Sequence, residues 1–252
     1  MRITALLRRL VLLLSLGLAL APMPLVSAAR AAEPVDLLLV LAADVSRSVD
    51  QPKFQLQREG YAAAIADPKV LNAISSGPLG RIAVSFVEWS GAGAQKVVID
   101  WTVIDGPRAA QKFADQLVEL PRSFADRTAI GAGIDFAAAQ FERAPFESRR
   151  RTIDVSGDGT SNSGRDVRGA RDDALAKGIT INGLVILSER PLPWNPEHTN
   201  PPGGLDQYYR DNVIGGPGAF VMVAQDFNSF GQAIISKLIA EIAFLEPLRP
   251  RH

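Results

Sequence analysis

The chain has 252 residues, 47% of them hydrophobic and 21% charged, with 27 basic and 27 acidic side chains, two histidines and no cysteine. That hydrophobic fraction belongs to a folded chain rather than a disordered one, and a formal charge of zero lacks the basic excess of a dedicated nucleic-acid binder. Without cysteine there is no disulfide, thiolate metal site, iron–sulfur cluster or cysteine nucleophile; with only His198 and His252, any metal must be a hard ion held by oxygen.

The predicted elements begin with a leader. Arg2, Arg8 and Arg9 form a basic start, and residues 10–20 are an apolar run, the length of a signal h-region and short of the roughly 20 residues a spanning helix needs. Pro22 and Pro24 break the run, and Val26-Ser27-Ala28 offers small residues for cleavage. Residues 1–28 therefore read as a signal peptide, with cleavage after Ala31 as a variant and an uncleaved anchor as the blander reading. No later apolar run is long enough to span a membrane. Removing the three arginines leaves 24 basic against 27 acidic residues, a net charge of −3. An exported chain of this size without cysteine suggests a bacterial envelope, periplasmic or secreted.

Beyond the leader, residues 35–43 are a continuous apolar run ending at Asp44, the pattern of a strand buried on both faces. Residues 52–66 read as a helix with Pro52 in its first turn. Residues 81–88 and 96–104 read as strands joined by the turn Ser90-Gly91-Ala92-Gly93, a hairpin. Residues 107–120 and 129–143 read as helices, with Thr128 just before the second. Residues 151–156 form a strand running into Gly157-Asp158-Gly159. Helix 165–177 is stopped by Gly178, and strands 179–187 and 219–224 precede a closing helix, 227–245. The alternation predicts a Rossmann-like three-layer α/β/α sandwich. Its central sheet is mostly parallel with one antiparallel edge hairpin, in a single domain over residues 34–246. The interval 188–218 holds Pro191, Pro193, Pro196, Pro201 and Pro202 with Trp194, Tyr208 and Tyr209. It reads as a partner surface, or more plainly as a loop over the sheet edge with the two tyrosines on a short helix as core. His198 and Asp206 there are a weak signal for a second metal site.

Ligands of such sheets bind beyond the carboxyl ends of the strands. The first strand ends in Asp44-Val45-Ser46-Arg47-Ser48, so one carboxylate and two hydroxyls alternate at one point above the sheet. Thr128 stands at another loop of that edge, and Asp158 ends a central strand between two glycines that would let the backbone turn sharply. Two carboxylates and three hydroxyls suit an octahedral hard cation, Mg²⁺ or Mn²⁺, with water completing its shell. Three neutral hydroxyls also leave the ion electrophilic toward a partner's carboxylate. The blander reading makes Asp44 and Thr128 helix N-caps. Asp154, inside a strand, reads as structural. Glu88 and Trp89 at a strand end read as packing or ligand contact, and Arg149-Arg150-Arg151 as a solvated edge.

Asp44-x-Ser46-x-Ser48, then Thr128, then Asp158 resembles the metal-ion-dependent adhesion site of von Willebrand factor A domains. The resemblance covers about residues 34–246. It implies metal binding by Asp44, Ser46, Ser48, Thr128 and Asp158, with the third-loop aspartate often acting through water. Gly157 departs from the threonine or serine that many members carry there. The stretches Leu41–Ser46, 86–90, 153–159 and 213–220 further resemble a group of exported bacterial A-domain proteins of unknown function. The expected function is a metal-dependent protein-interaction module whose cation bridges to an acidic residue of a protein partner. No nucleic-acid partner and no stable membrane span are expected. One alternative is an envelope protein with a purely structural metal. The other is a metal-assisted hydrolase with Glu88 or Asp154 as a weak base. No Gly-x-Ser-x-Gly elbow or phosphate loop is present, and no catalytic residue is nominated.

Overall fold

A computed structural model describes residues 32–188 and 191–243 of the chain. The expected signal peptide and the last two residues of the expected closing helix lie outside the described residues. In chain order the strands are β1 (Glu33–Pro34), β2 (Leu38–Asp44), β3 (Ile82–Trp89), β4 (Gln95–Ile104), β5 (Phe146–Glu147), β6 (Arg151–Gly157), β7 (Thr180–Ile186) and β8 (Val221–Ala224). The helices are α1 (Gln51–Ile65), α2 (Pro68–Ser75), α3 (Pro107–Glu119), α4 (Ile130–Gln140), α5 (Val167–Ala176), α6 (Pro196–Thr199), α7 (Leu205–Asn212) and α8 (Phe230–Ala243). A single 3₁₀ turn, Phe141–Arg143, extends α4.

Six strands form one sheet in the order β4-β3-β2-β6-β7-β8, while β1 and β5 pair as a separate ribbon. All neighbours in the main sheet run parallel except the β3–β4 hairpin at the edge. Strand β2 is buried at every position because helices cover both faces of the sheet. One core packs α1, α2, α3 and α8 against one face through Tyr61, Phe86, Phe113 and Phe230. The other packs α4, α5 and α7 through Trp89, Ile134, Ala170 and Tyr209. The chain leaves β2 toward β3 on one side and returns to β6 on the other. The crevice between β2 and β6 is therefore the topological switch point, where such sheets bind ligands.

Local chemistry accounts for the helix boundaries. Asp50 caps α1 by accepting the Lys53 amide at 3.0 Å, and Pro52 follows in the first turn. Asp166 caps α5 through Gly169 N at 2.7 Å, and Gly178, at φ 71°, ends it. Two helices are additions to the predicted set, α2 and α6, while α7 is the short helix that carries Tyr208 and Tyr209. Among the described residues no helix is long and apolar enough to cross a membrane.

Two charged clusters lie inside. Arg58 reaches Glu88 at 2.6 Å, and the other Glu88 oxygen accepts the Ser123 amide at 2.8 Å. Lys237, fully buried on α8, pairs with Asp154 at 2.8 Å and with Glu241 one turn along the same helix. Asp154 therefore has the structural place expected of it. Glu88 and Trp89 are packing residues: the Trp89 indole is buried and donates to Ala42 O at 3.0 Å. With Glu88 and Asp154 both bound to cations in the core, neither is available as a general base.

Candidate metal centre

Strand β2 delivers Asp44 to the carboxyl edge of the sheet, and the turn after it brings Ser46 and Ser48 back over the strand end. The Ser46 amide donates to Asp44 Oδ1 at 2.7 Å, which fixes that carboxylate and leaves Oδ2 facing inward. The Ser46 and Ser48 hydroxyls lie 3.1 Å apart. Ser48 Oγ donates to Asp158 Oδ1 at 2.5 Å, joining the β2 loop to the end of β6 across 110 residues of sequence. Arg122 holds the turn from outside by donating to Val45 O and Ser46 O at 2.5 and 2.8 Å.

Thr128 enters from the loop before α4. It is not the helix cap: Ala129 holds that position, and the first helical amide, Ile130 N, donates to Ser161 Oγ at 3.3 Å. Thr128 is instead pinned by its backbone, its amide donating to Asn162 Oδ1 at 3.0 Å and its carbonyl accepting Asn162 N at 2.8 Å. Its hydroxyl lies 3.3 Å from His198 Nε2. All five residues named from the sequence thus lie on adjoining loops at one end of the sheet, and all are buried.

Two carboxylates buried this closely are electrostatically costly. Burial, and then the charge of Asp158, pushes the Asp44 carboxyl up to about 8. Asp158 is also raised by burial, opposed by the Ser48 hydrogen bond and by Lys53, whose ammonium lies 3.7 Å from Oδ2. Asp44 Oδ2 and Asp158 Oδ2 are both buried with no hydrogen-bond donor. Orphaned acceptors of this kind are rare in folded proteins. Together with the Ser46, Ser48 and Thr128 hydroxyls they form an oxygen-only donor set that fits a hard divalent cation. Among the described residues no three His, Cys, Asp or Glu side chains converge into a metal site, so the hydroxyls are needed to complete one.

Several residues at this site were not anticipated from the sequence. Lys53 bridges the loops by donating to Ser48 O at 2.8 Å. Tyr209, buried on α7, presents a hydroxyl with no partner, and burial followed by the Asp44 charge raises it well above the ordinary tyrosine range. His198 does not join Asp206, which pairs with Arg210 on its own helix at 3.4 Å. It turns toward Thr128, and burial lowers its pKa. Its Nδ1 faces Thr160 Oγ1 at 3.5 Å, so no carboxylate orients it as a general base toward Thr128.

The glycines beside Asp158 serve space rather than turning. Neither lies in the left-handed region. A Cβ on Gly157 would overlap the Tyr209 hydroxyl and stand 3.1 Å from Asp44 Oδ2. One on Gly159 would overlap the His198 ring. The departure at Gly157 thus has a steric cause, because Tyr209 fills the volume a larger side chain would need.

The family described as "Protein of unknown function (DUF1194)" matches residues 34–246, and the chain belongs to it. No curated protein matches the chain in sequence. Among solved structures it is similar to proximal thread matrix protein 1 from the mussel byssus, at TM-score 0.61 and 13% identity over 83% of this chain and 48% of that one. A structure of the same byssus protein with a zinc-occupied MIDAS motif gives 0.58 and 14%, over 84% and 49%. The pilus adhesin SpaC from Lactobacillus rhamnosus GG, in an open conformation, gives 0.55 and 13%, over 82% and 30%. The chain spans about half the length of the byssus protein and under a third of the adhesin. At these identities the likeness is one of fold, a von Willebrand factor A-like α/β sandwich.

Proposed function

We propose that the chain is an exported, cation-dependent protein-binding module. Asp44, Ser46, Ser48, Thr128 and Asp158 hold Mg²⁺ or Mn²⁺, directly or through water. The bound ion supplies an electrophilic point that a partner's carboxylate completes. The observation that carries this reading is the pair of buried carboxylate oxygens without a hydrogen-bond donor, Asp44 Oδ2 and Asp158 Oδ2, the latter 3.7 Å from the Lys53 ammonium, together with the buried Ser46, Ser48 and Thr128. The neutral hydroxyls leave the ion's charge only partly compensated, and Lys53 and Arg122 hold the two loops in register. A vWA-like domain over residues 34–246 follows a signal peptide at 1–28, which places the module in a bacterial periplasm or outside the cell. The byssus protein with a zinc-occupied MIDAS motif supports the metal-dependent part of this reading, and the pilus adhesin its binding part, both through fold alone.

Calorimetry with Mg²⁺ and Mn²⁺ tests the site: the wild type binds and Asp44→Ala does not. Absence of binding by the wild type at millimolar ion refutes the cation reading. Recovery of envelope proteins on the immobilised chain tests the partner, and equal recovery with and without chelator refutes metal-bridged recognition. A purely structural cation is the second reading, favoured by the relief that a dication gives two repelling buried carboxylates. It predicts that Asp44→Ala loses stability but keeps its partner.

A further inference from the structure

The proline-rich segment before α7 is built onto the candidate site. His198 and Thr199 are buried at 4% and 2% exposure. The Thr160 amide donates to His198 O at 2.8 Å, the His198 ring reaches Thr128, and Gly159 lacks the Cβ that would block it. A chain of short turns, Asn195 N to Leu192 O at 3.1 Å and His198 N to Asn195 O at 3.2 Å, carries this anchoring outward. At its outer end Trp194 stands 76% exposed, the most exposed large apolar side chain among the described residues. An indole held outward by an anchored segment is a placed surface.

Between this segment and the loops of the site lies a cleft of about 170 Å³, lined by Ser48 and Thr128 of the site together with Arg47, Asp126, Arg127, Trp194 and His198. It therefore opens onto the proposed cation position. Arg47 is 74% exposed and has only a loose contact with Asp126, 3.8 Å away. Arg127 is exposed, and among the described residues it makes no ion pair or side-chain hydrogen bond. With Asp126 also in the lining, the mouth carries two guanidiniums against one carboxylate, a formal excess of one positive charge. Arginine matches carboxylates in a planar, two-point geometry, and an exposed indole accepts an apolar flank.

We infer that the cleft between Arg127 and Trp194 is a second recognition subsite, which selects a protein segment bearing a second acidic residue close to the one that meets the cation. This rests on the cation reading above and adds to it the chemistry of the partner.

The test uses capped eight-residue peptides with one aspartate, or with a second aspartate one, two or three positions further along, titrated into the mature chain with saturating Mn²⁺. At least one two-aspartate peptide should bind about ten-fold tighter than the single-aspartate peptide, as expected for an added charge-assisted pair. Arg127→Ala should remove that gain while leaving Mn²⁺ binding and single-aspartate binding in place. Trp194→Ala should weaken every peptide. The proposal is overturned if no second aspartate improves binding beyond three-fold, or if the gain survives Arg127→Ala. It is equally overturned if a single-stranded oligonucleotide of equal charge binds as well as the best peptide. A wild type that binds no Mn²⁺ refutes the underlying cation reading instead, so the two failures are told apart.

Discussion

Replacing Asp44 by asparagine should stabilise the cation-free protein and abolish its response to cation. Asparagine keeps the shape of the side chain, and its Oδ1 can still accept the Ser46 amide bond now made at 2.7 Å. What it removes is a carboxyl whose pKa rises from 3.8 to about 8 on burial beside Asp158. Between those values the folded chain binds a proton that the unfolded chain has released, so stability falls as pH rises through that window. At pH 7 the cost is the 1.36 kcal/mol per pH unit of linkage taken from 3.8 to 7, up to about 4 kcal/mol. At roughly 2–4 °C per kcal/mol for a domain of this size, the Asp44→Asn variant should melt about 8–15 °C higher in chelator. With Mn²⁺ at 100 times its Kd the wild type should gain about 2.7 kcal/mol and the variant nothing, closing most of the gap. Thermal melts of both proteins at pH 7, with chelator and with Mn²⁺, check this. A variant less stable than the wild type in chelator would refute the claim that the two carboxylates strain the empty site. A wild type unmoved by Mn²⁺ would refute the claim that a cation relieves them.

His198→Ala should weaken Mn²⁺ binding about ten-fold, the scale of an outer-sphere contact. The loss should vanish in a Thr128→Ala background, because the ring acts through that hydroxyl; additive losses by calorimetry would separate the two residues. Gly157→Thr should cost about 1–3 kcal/mol in urea melts through overlap with Tyr209, and Tyr209→Phe should recover part of it. Lys237→Met should cost about 3–5 kcal/mol, since Asp154 and Glu241 would stay buried without their cation. Burial, opposed by Lys237, raises Asp154 to about 7. Its contribution is full below pH 3.8 and is lost as pH rises to about 7. Asp154→Asn should flatten the stability curve over that interval, and an unchanged slope would assign it to another group.

The frame of the fold is legible in the sequence wherever a run of apolar residues must be buried on two faces. The apolar run at 35–43 and the strand expected at 151–156 correspond to the two central strands, whose ends supply Asp44, Ser46, Ser48 and Asp158 of the candidate site. The first of these strands starts three residues late for a local reason. Asp36 turns its carboxylate to the Leu79 and Arg81 amides and so ties the chain before the ladder begins. Helix α2 escaped because it is only eight residues long and follows α1 after Ala66 and Asp67 alone. Lys237 draws no reading from the sequence, because its partner Asp154 lies on β6 and only the packed fold brings the two together.

Legibility ends where contacts are made by the shape of the chain rather than by its local pattern. A glycine before and after Asp158 looks like a turn, because glycine most often marks backbone freedom. Neither residue here lies in the left-handed region, and what they lack is volume. The space beside Gly157 belongs to Tyr209 of α7 and the space beside Gly159 to His198 of α6. The pair of glycines is therefore the imprint of the 191–212 region on the β6 end. A segment that presses two of its side chains onto the backbone flanking a buried carboxylate cannot move without disturbing that carboxylate. The proline-rich segment thus belongs to the site in both senses offered by the sequence. Tyr209 packs as core, His198 reaches the Thr128 hydroxyl, and Trp194 is left outside, where a partner can find it.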